Sequence, residues 1–600
     1  MKFYKVLLAS LLGSLISGII GLILWAIGIF AVVNAFSEEE LTPIKANSVL
    51  EIELSQFITD SPSANPLAGF NMATMDFDEQ ITLLEAIRAI ETAENDANIK
   101  GIYLHLSKTS MLPAATLEEL RRAISKFKES GKFVVAYNDF YTQSNYYLCS
   151  VADKVYMQGE GTFMWKGMTT SVMFYKDLLD KLDIEVEVFR PTVCKYKSAV
   201  EPFILNKMSD ANRKQMTELI GSMWSTIAEE VALSRSLTIE KVNEYATNIS
   251  CMKASDALEC GMIDGVVYEN DMTKILGDLG VAVDNDSPRT VDFGDYVERY
   301  AKTNNNSASN NKVGIIYAEG DIVDGEGVDE KIYGDITAAT IKKARLDKSI
   351  KAVVLRVNSP GGSALASDVM WHELELLREV KPLIVSMGSL AASGGYYISA
   401  PADAIVANKL TLTGSIGVFG MLPNIEGALR NKLGVNIDRV KTNENADFME
   451  SFGGMTPYQR NKMIESVDQV YERFTSLVAK GRNLPIDKVL EIAQGRVWSG
   501  TDAVEIGLVD GIGGLRDAIA LAVTKADLGE NFAIVEVLDE PSEFEEILSM
   551  FSAEVAGSVI PDDVKAIYNE YSQIREALAP ITTTHGMVSY SPYRIDLGQF

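Results

Sequence analysis

Cysteine and histidine are both scarce in this chain of 600 residues. The four cysteines, Cys149, Cys194, Cys251 and Cys260, form no Cys-x-x-Cys pair, and there are only three histidines. These counts exclude a disulfide framework and a structural zinc site, so we expect no metal and no cofactor. A disulfide between Cys251 and Cys260 is the one pairing that the sequence leaves open.

Basic residues are also under-represented. Lys and Arg number 55 against 83 Asp and Glu, which gives a formal net charge of −28. A surface this acidic repels the phosphates of nucleic acids, so nucleic acid is not an expected partner. The hydrophobic fraction of 47% and the charged fraction of 23% are typical of a folded globular protein, and the length indicates two or three large domains.

One hydrophobic run is long enough to cross a bilayer. Residues 6–37 carry no charge, Lys2 and Lys5 precede them, and Glu38 to Glu40 follow. This charge asymmetry predicts a single-pass anchor in the inner (cytoplasmic) membrane at residues 1–37, with the body on the extracytoplasmic, periplasmic side. A cleaved signal peptide is the alternative, but its apolar region would be only about 7 to 15 residues long.

The rest of the chain contains two copies of one sequence repeat. Residues 99–106 resemble 350–357, and 256–265 resemble 502–511, so the offset drifts from 251 to 246. An Asn-rich, polar stretch between the copies is typical of a linker. We therefore predict five segments, listed here: anchor 1–37, first repeat 38–303, linker 304–312, second repeat 313–540 and C-terminal tail 541–600.

Each repeat alternates short β-branched runs with amphipathic segments such as 79–94 and 368–380. This alternation predicts an α/β fold with a mostly parallel sheet. Residues 211–234 and 459–481 have helical spacing of apolar positions. The acidic tail after Asp539 carries no recognisable motif.

The two repeats differ in their glycine-rich turns. The second has Asn-Ser-Pro-Gly-Gly-Ser at 358–363 and Ala-Ser-Gly-Gly at 392–395, whereas Gln143 stands where the second repeat has Ser393. At a strand-to-helix junction, Ser393 could act as a nucleophile, with Gly394 and the loop of Gly361 and Gly362 supplying amides to an oxyanion. An ordinary turn and a helix-capping serine are the alternatives.

A serine nucleophile needs a base, and the histidines do not fit that role. His105 is predicted inside a strand, His372 on a helix and His585 in the tail, where each is most simply a packed or solvated side chain. No Gly-x-Ser-x-Gly motif surrounds Ser393. A lysine whose pKa is lowered by burial can replace histidine as the base.

Four motifs together strongly resemble the signal peptide peptidase A family, in its large, duplicated, membrane-anchored form also called protease IV. They are Tyr-Lys-Ser-Ala-Val-Glu-Pro-Phe at 196–203, Ser-Pro-Gly-Gly at 359–362, Ala-Ser-Gly-Gly at 392–395 and Thr-Gly-Ser-Ile-Gly at 413–417. The resemblance implies two tandem domains similar to Clp protease and crotonase, built from spiral ββα turns. It also implies Ser393 as nucleophile, Lys197 as general base and Ser415 as a hydrogen-bond partner of the lysine.

Lys195 is the local competitor for the role of base, but the family motif places its lysine between the tyrosine and Ser-Ala-Val-Glu-Pro, which favours Lys197. The second repeat has no lysine aligned with it, so each repeat would supply what the other lacks.

The resemblance further implies a Ser-Lys serine endopeptidase that degrades cleaved, hydrophobic signal peptides, contacts lipid through its anchor and forms a homo-oligomer, by family resemblance a tetramer. A non-proteolytic scaffold of the same fold and a crotonase-type acyl-CoA enzyme are the alternative hypotheses.

Overall fold

The computed structural model of the protein describes residues 43–54, 57–62, 70–71, 76–77, 80–106, 112–300, 309–327, 331–538 and 587–590. The hydrophobic run at 6–37 lies outside them, as do most of the predicted linker and tail. In the described part of the chain, no helix is both long and apolar enough to cross a membrane. Internal contacts divide the chain into two compact units, Met1–Lys45 and Ala46–Phe600, and the second contains residues 46–303 of the first repeat and all of the second repeat.

The first repeat is built on a six-stranded sheet in which all neighbouring strands are parallel. Its strands, in spatial order, are Gly265–Val266, Lys154–Phe163, Phe133–Tyr141, Ile99–Leu104, Ser48–Ile52 and Thr290–Asp292. Runs such as that of Ile99–Leu104 are buried on both faces, as parallel strands covered by helices are.

The second repeat has a corresponding sheet of eight strands. Its main path is Val497–Ser499, Leu412–Gly414, Leu383–Ala392, Ile350–Ser359, Lys312–Glu319 and Ala533–Glu536, and Ala404–Ala407 with Gly511–Ile512 branches from it. The pair between Leu412–Gly414 and Val497–Ser499 is antiparallel, and the other neighbours are parallel. The mostly parallel sheet expected from the sequence is therefore present in both repeats.

Helices cover these sheets. In the first repeat they are Leu83–Asn95, Ala114–Lys128, Gln143–Cys149, Lys176–Lys181, Glu201–Ile204, Asp210–Arg235, Ile239–Asn248, Ala254–Glu259, Glu269–Asp278 and Phe293–Tyr300, with a 3-10 turn at Ser198–Val200. In the second they are Gly334–Leu346, Ala364–Arg378, Gly394–Ser399, Pro457–Gly481, Ile486–Ile492, Gly500–Glu505 and Leu515–Lys525, with a π turn at Ala428–Lys432.

The helix predicted at 79–94 begins four residues later than expected because Thr82 caps it. The Oγ1 atom of Thr82 accepts a hydrogen bond from the Glu85 amide at 3.2 Å, and the Glu85 carboxylate accepts one from the Thr82 amide at 2.9 Å. This reciprocal pair satisfies amides that a helix start leaves unpaired, so it fixes the first turn. The preceding residues 80–82 form a short strand with Phe57–Thr59 instead.

A third sheet is shared between the two repeats. Its order is Ile332–Tyr333, Ile322–Val323, Gly361–Ser363, Met587–Tyr590, Phe419–Asn424 and Glu185–Phe189. Glu185–Phe189 of the first repeat pairs antiparallel with Phe419–Asn424 of the second, with Phe189 opposite Gly420. The sequence predicted neither this joint sheet nor the strand Met587–Tyr590 within the tail.

Apolar packing reinforces the joint sheet. Leu179, Val200 and Phe203 of the first repeat form a buried cluster with Phe419 and Met421 of the second. Burial of one such side chain stabilises a fold by about 1.5–3 kcal/mol. The segment that follows Glu185–Phe189 is thereby held against the second repeat.

A buried ionic cluster also joins the repeats. Arg356 on the central strand of the second repeat contacts Asp60 at 2.7 Å and Glu119 at 2.9 Å, both from the first repeat. Glu119 also accepts hydrogen bonds from the Asn408 side chain and the Leu515 amide, each at 2.8 Å. Burial alone would raise the pKa of Glu119, but the charge of Arg356 and these hydrogen bonds hold it below its usual value.

We expect Arg356→Met to lower the free energy of unfolding by about 3–5 kcal/mol, because it removes the direct ion-pair partner of two buried carboxylates, Asp60 and Glu119. Arg378→Met is the control, since Arg378 is 35% exposed in its pair with Asp403 and should contribute about 1 kcal/mol or less. Urea denaturation of both variants measures the difference. Equal losses would contradict the view that Arg356 holds the repeats together.

Candidate active site

Ser393 lies at a sharp turn between strand Leu383–Ala392 and helix Gly394–Ser399. Its backbone has φ 58° and ψ −114°, a strained conformation for a residue with a side chain, and its amide donates to the Gly414 carbonyl at 2.8 Å. The turn requires small neighbours, because a Cβ on Gly395 would lie 2.7 Å from the Ser359 carbonyl oxygen. The helix is thus brought against the turn that follows Ile350–Ser359.

Lys197 reaches this turn from the other repeat. Its Nζ atom lies 2.6 Å from Ser393 Oγ, 3.0 Å from the Ser415 carbonyl oxygen and 3.0 Å from Ser415 Oγ. The lysine side chain is 1% exposed, and both serines are buried. The structure therefore brings together, within one chain, the three side chains that the sequence analysis singled out.

The ammonium form of Lys197 is disfavoured in this site. Burial removes water from the amine and lowers the pKa of Lys197 to about 7. The three nearby oxygens are uncharged, so none of them supplies a counter-charge for an ammonium, and a neutral amine can still use all three contacts through its two N–H donors and one lone pair. The two N–H groups fit the Ser415 oxygens, and the lone pair fits the Ser393 hydroxyl.

The predicted glycine loop borders the same turn. A Cβ on Gly394 would lie 3.1 Å from the Gly361 Cα, and one on Gly362 would lie 1.9 Å from the Ile322 carbonyl oxygen. No side chain fits at these positions. The Gly361 amide already donates a hydrogen bond to Ser359 Oγ at 3.1 Å. It is therefore not a free donor for an oxyanion, and the amides of Gly362 and Gly394 remain the candidates for that role.

Residues 126–282 and 375–529 each match the sequence profile of peptidase family S49. Protease 4 of Salmonella typhi is 36% identical over 91% of this chain and 88% of its own. The chain belongs to peptidase family S49. The two matched segments confirm the duplication, and they contain Lys197 in the first and both Ser393 and Ser415 in the second.

Other S49 relatives include the chloroplastic serine protease SPPA of Arabidopsis thaliana, 33% identical over 80% of this chain and 71% of that protein. A putative signal peptide peptidase SppA of Enterococcus faecium is 41% identical over 30% of this chain and 52% of that protein. This S49 chain is a serine peptidase. A ClpP1 mutant of Listeria monocytogenes matches with a TM-score of 0.23 and 15% identity over 34% of this chain and 94% of that one, so the Clp-like spiral stays a prediction.

Two residues that the sequence analysis missed hold the lysine segment of this S49 peptidase. Buried Gln215, on helix Asp210–Arg235, donates from Nε2 to the Tyr196 carbonyl at 2.9 Å and to Ser198 Oγ at 2.8 Å. Gly495 has φ +77°, and a Cβ there would lie 2.5 Å from Lys197 Cβ. No sequence signal marks Gln215, because a polar residue on an amphipathic helix is ordinarily solvated.

We expect Gln215→Leu to lower kcat about 10- to 100-fold with little change in KM, since a displacement of about 1 Å in a catalytic group has effects of that size. The pH at which kcat is half-maximal should also move upward, because a loosened Lys197 regains water. Gln459→Leu is the matched control: Gln459 is also buried near a helix start, but it bonds Thr456 and Asp447. Loss of stability in both variants with kcat unaffected in both would contradict a positioning role.

The other predicted candidates lie elsewhere. Lys195 is exposed, with its Nζ 5.1 Å from the centre of the Tyr196 ring. His372 is exposed on helix Ala364–Arg378, and His585 lies outside the described residues. The thiols of Cys251 and Cys260 are both free in the structure.

His105 follows the strand Ile99–Leu104 instead of lying inside it, which corrects the sequence-based placement. Together with Glu51 and Glu53 it forms a group whose donor atoms lie within 4.8 Å of one another, close enough to hold a metal ion. Burial would lower the pKa of His105, but its hydrogen bond with Glu51 and that carboxylate's charge raise it above its usual value. The two carboxylates that face His105 thus favour its protonated form.

Proposed function

We propose that the chain is a Ser-Lys endopeptidase in which Ser393 is the nucleophile and Lys197 the general base. The observation that carries this proposal is the 2.6 Å separation of Lys197 Nζ and Ser393 Oγ at a buried, strained turn. A scaffold protein would gain nothing from burying a lysine with a lowered pKa beside a strained serine, since both features cost stability. Such perturbed groups are typical of catalytic sites.

The proposed reaction follows from the contacts. The neutral amine of Lys197 takes the proton of Ser393 as Oγ attacks the peptide carbonyl, while Ser415 keeps the amine oriented. The amides of Gly362 and Gly394 stabilise the oxyanion. The ammonium then gives its proton to the leaving amine, and a water molecule activated by the same lysine hydrolyses the acyl-enzyme.

We propose hydrophobic signal peptides as the substrates. The Enterococcus faecium relative, a putative signal peptide peptidase, and the resemblance of the motifs support this class. An anchor at 1–37 in the inner membrane would place the body beside membrane-retained peptides on the extracytoplasmic side, which protease treatment of spheroplasts tests. We also propose that the two repeats span residues 38–303 and 313–540. We further propose that the protein is a homotetramer, and sedimentation of the detergent-solubilised chain tests this oligomeric state.

The substrate class is tested by incubating the full-length protein in detergent with a synthetic signal peptide and following fragments by mass spectrometry. A peptide of equal length whose apolar core is replaced by Ser and Gln is the matched control. We expect cleavage of the signal peptide at least about tenfold faster, because removing apolar side chains from water on binding is favourable. Equal rates would contradict the substrate class, and no cleavage of either peptide would favour the scaffold alternative.

A further inference from the structure

A turn at residues 494–496 lies between the lysine segment and the segment of Ser415. The Gln494 carbonyl at its start accepts a hydrogen bond from the Tyr196 amide at 3.1 Å. The next amide of the turn donates to the Ile416 carbonyl at 2.8 Å, and the last carbonyl accepts from the Ser415 amide at 2.7 Å. The 494–496 turn therefore holds the main chain beside the proposed base and the main chain of its hydrogen-bond partner relative to each other.

The backbone of the 494–496 turn is strained and lies directly against the lysine. Gln494 has φ +57°, in the left-handed region that is costly for a residue with a side chain. A Cβ on Gly495 would lie 2.7 Å from the Lys197 amide nitrogen, and one on Gly417 would lie 3.3 Å from Lys197 Cδ. Strain of this kind persists only where surrounding contacts hold it in place.

Tyr471 supports the 494–496 turn from helix Pro457–Gly481. Its hydroxyl accepts a hydrogen bond from the Gln494 amide at 3.3 Å, and a second hydrogen bond joins it to the buried thiol of Cys194. The Cys194 carbonyl in turn accepts a hydrogen bond from the Lys197 amide at 3.2 Å. One buried hydroxyl thus connects the turn on one side of the lysine with the residue that holds the lysine main chain on the other.

We propose that Tyr471 is a positioning residue for Lys197, acting through the 494–496 turn and Cys194. This inference rests on the proposed role of Lys197 as the base. Tyr471 acts on the lysine main chain and not on the reacting atoms. By holding both flanks of the lysine segment, its hydroxyl keeps the amine within hydrogen-bond reach of Ser393, which proton transfer requires.

The ring and the hydroxyl of Tyr471 have different surroundings. The ring belongs to a large apolar cluster that also contains Val467 and Phe474. The hydroxyl is the part that contacts the 494–496 turn and the thiol. Tyr471→Phe therefore keeps the core filled and removes the two hydrogen bonds on which the inference depends.

Steady-state kinetics of the full-length protein in detergent, with the synthetic signal peptide as the probe, test the proposal. We expect Tyr471→Phe to lower kcat about 5- to 50-fold with KM within about twofold, because a small displacement of the base affects the chemical step and not peptide binding. The pH at which kcat is half-maximal should move upward by at least about 0.3 unit, since a loosened Lys197 regains water and keeps its proton to higher pH.

Tyr146→Phe is the matched control. Tyr146 is fully buried in the first repeat, outside the lysine segment, and its hydroxyl donates to the Met262 carbonyl at 2.5 Å. Removing it costs a buried hydrogen bond in the same way, so it should lower stability while leaving kcat within about twofold and the pH midpoint unchanged. Urea denaturation of both variants compares their losses of stability.

The positioning role of Tyr471 and the proposed function fail in different ways. If Lys197→Met is inactive but folded Tyr471→Phe keeps either the wild-type kcat or the wild-type pH midpoint, the positioning role is wrong and the Ser-Lys peptidase stands. An equal fall of kcat in Tyr146→Phe would show a general loss of stability and also reject that role. A wild type that cleaves no peptide, or a Lys197→Met variant that retains activity, would instead reject the proposed function together with the inference.

Discussion

Ser393→Ala and Lys197→Met are each expected to lower kcat/KM for peptide hydrolysis at least about 1,000-fold, because nucleophile and base act as one unit. For the same reason, the double variant should be little worse than either single variant. The rate of cleavage of a signal peptide, with circular dichroism to verify the fold, measures the effect. Methionine is close to lysine in shape, so its substitution removes the amine without opening a cavity.

Two neighbouring substitutions control for local disturbance. Lys195→Met removes an exposed lysine two residues away, and Ser399→Ala removes a buried hydroxyl from the helix that follows Ser393. Both should retain activity within about threefold, since surface changes and single hydroxyl losses act mainly on stability. An inactive Lys195→Met together with an active Lys197→Met would move the base to Lys195.

Because Ser393 and Lys197 meet within one chain, mixing the two inactive variants gives a further test. Combined Ser393→Ala and Lys197→Met proteins should regain no activity, because each chain still lacks one member of its own pair. Recovery of activity in the mixture would show that the pair forms across a subunit interface.

The second large effect is on pH dependence. With the pKa of Lys197 lowered to about 7 by burial, protonation below that pH removes the base. We expect kcat/KM to rise about tenfold per pH unit from pH 5 to about 7 and to level off above it, which amounts to about a 100-fold change. Assays with one peptide in buffers of constant ionic strength measure the profile, and a flat profile over this range would contradict a lysine base.

The free energy of unfolding should also be measured as a function of pH, because the direction in which it changes tests the lowered pKa of Lys197. Because the folded pKa of Lys197 is below that of the unfolded chain, the unfolded state binds more protons between about pH 7 and 10.5. The free energy of unfolding should therefore rise with pH in this window in the wild type and rise less in Lys197→Met. Burial raises the pKa of Glu118 to about 6, so the folded state binds this proton more tightly than the unfolded state does. Protonation of Glu118 therefore favours the folded state, and unfolding caused by Glu118 does not explain a loss of activity at acid pH.

Much of the fold was accessible from the sequence. The β-branched runs at 99–106 and 350–357 form the strands Ile99–Leu104 and Ile350–Ser359, since buried parallel strands depend on short local patterns. Helix boundaries were less accurate, because hydrogen bonds such as that of Thr82 fix them and periodicity does not. No local sequence pattern predicts the sheet that the two repeats share.

The same division applies to the candidate site. Ser393 and its glycines could be named because the two repeats can be aligned. The alignment shows that only the second repeat keeps small residues at this strand-to-helix turn. Lys197 was named through the resemblance of its motif, and no periodicity points to it. Gln215, Arg356 and Glu119 were missed, since a buried polar residue on a strand or helix is not distinguishable in sequence from a solvated one.

The sequence by itself determined the duplicated α/β plan and the candidate Ser393 with its glycines, because these follow from local composition and from comparison of one repeat with the other. It pointed to Lys197 and Ser415 only through the resemblance of their motifs to a known family. The tertiary structure alone decided that Lys197 meets Ser393 across 196 residues, that the lysine is buried with a lowered pKa, and that Met587–Tyr590 lies beside Gly361. Distance and burial are properties of packing between segments far apart in the chain. A local pattern of residues does not specify them.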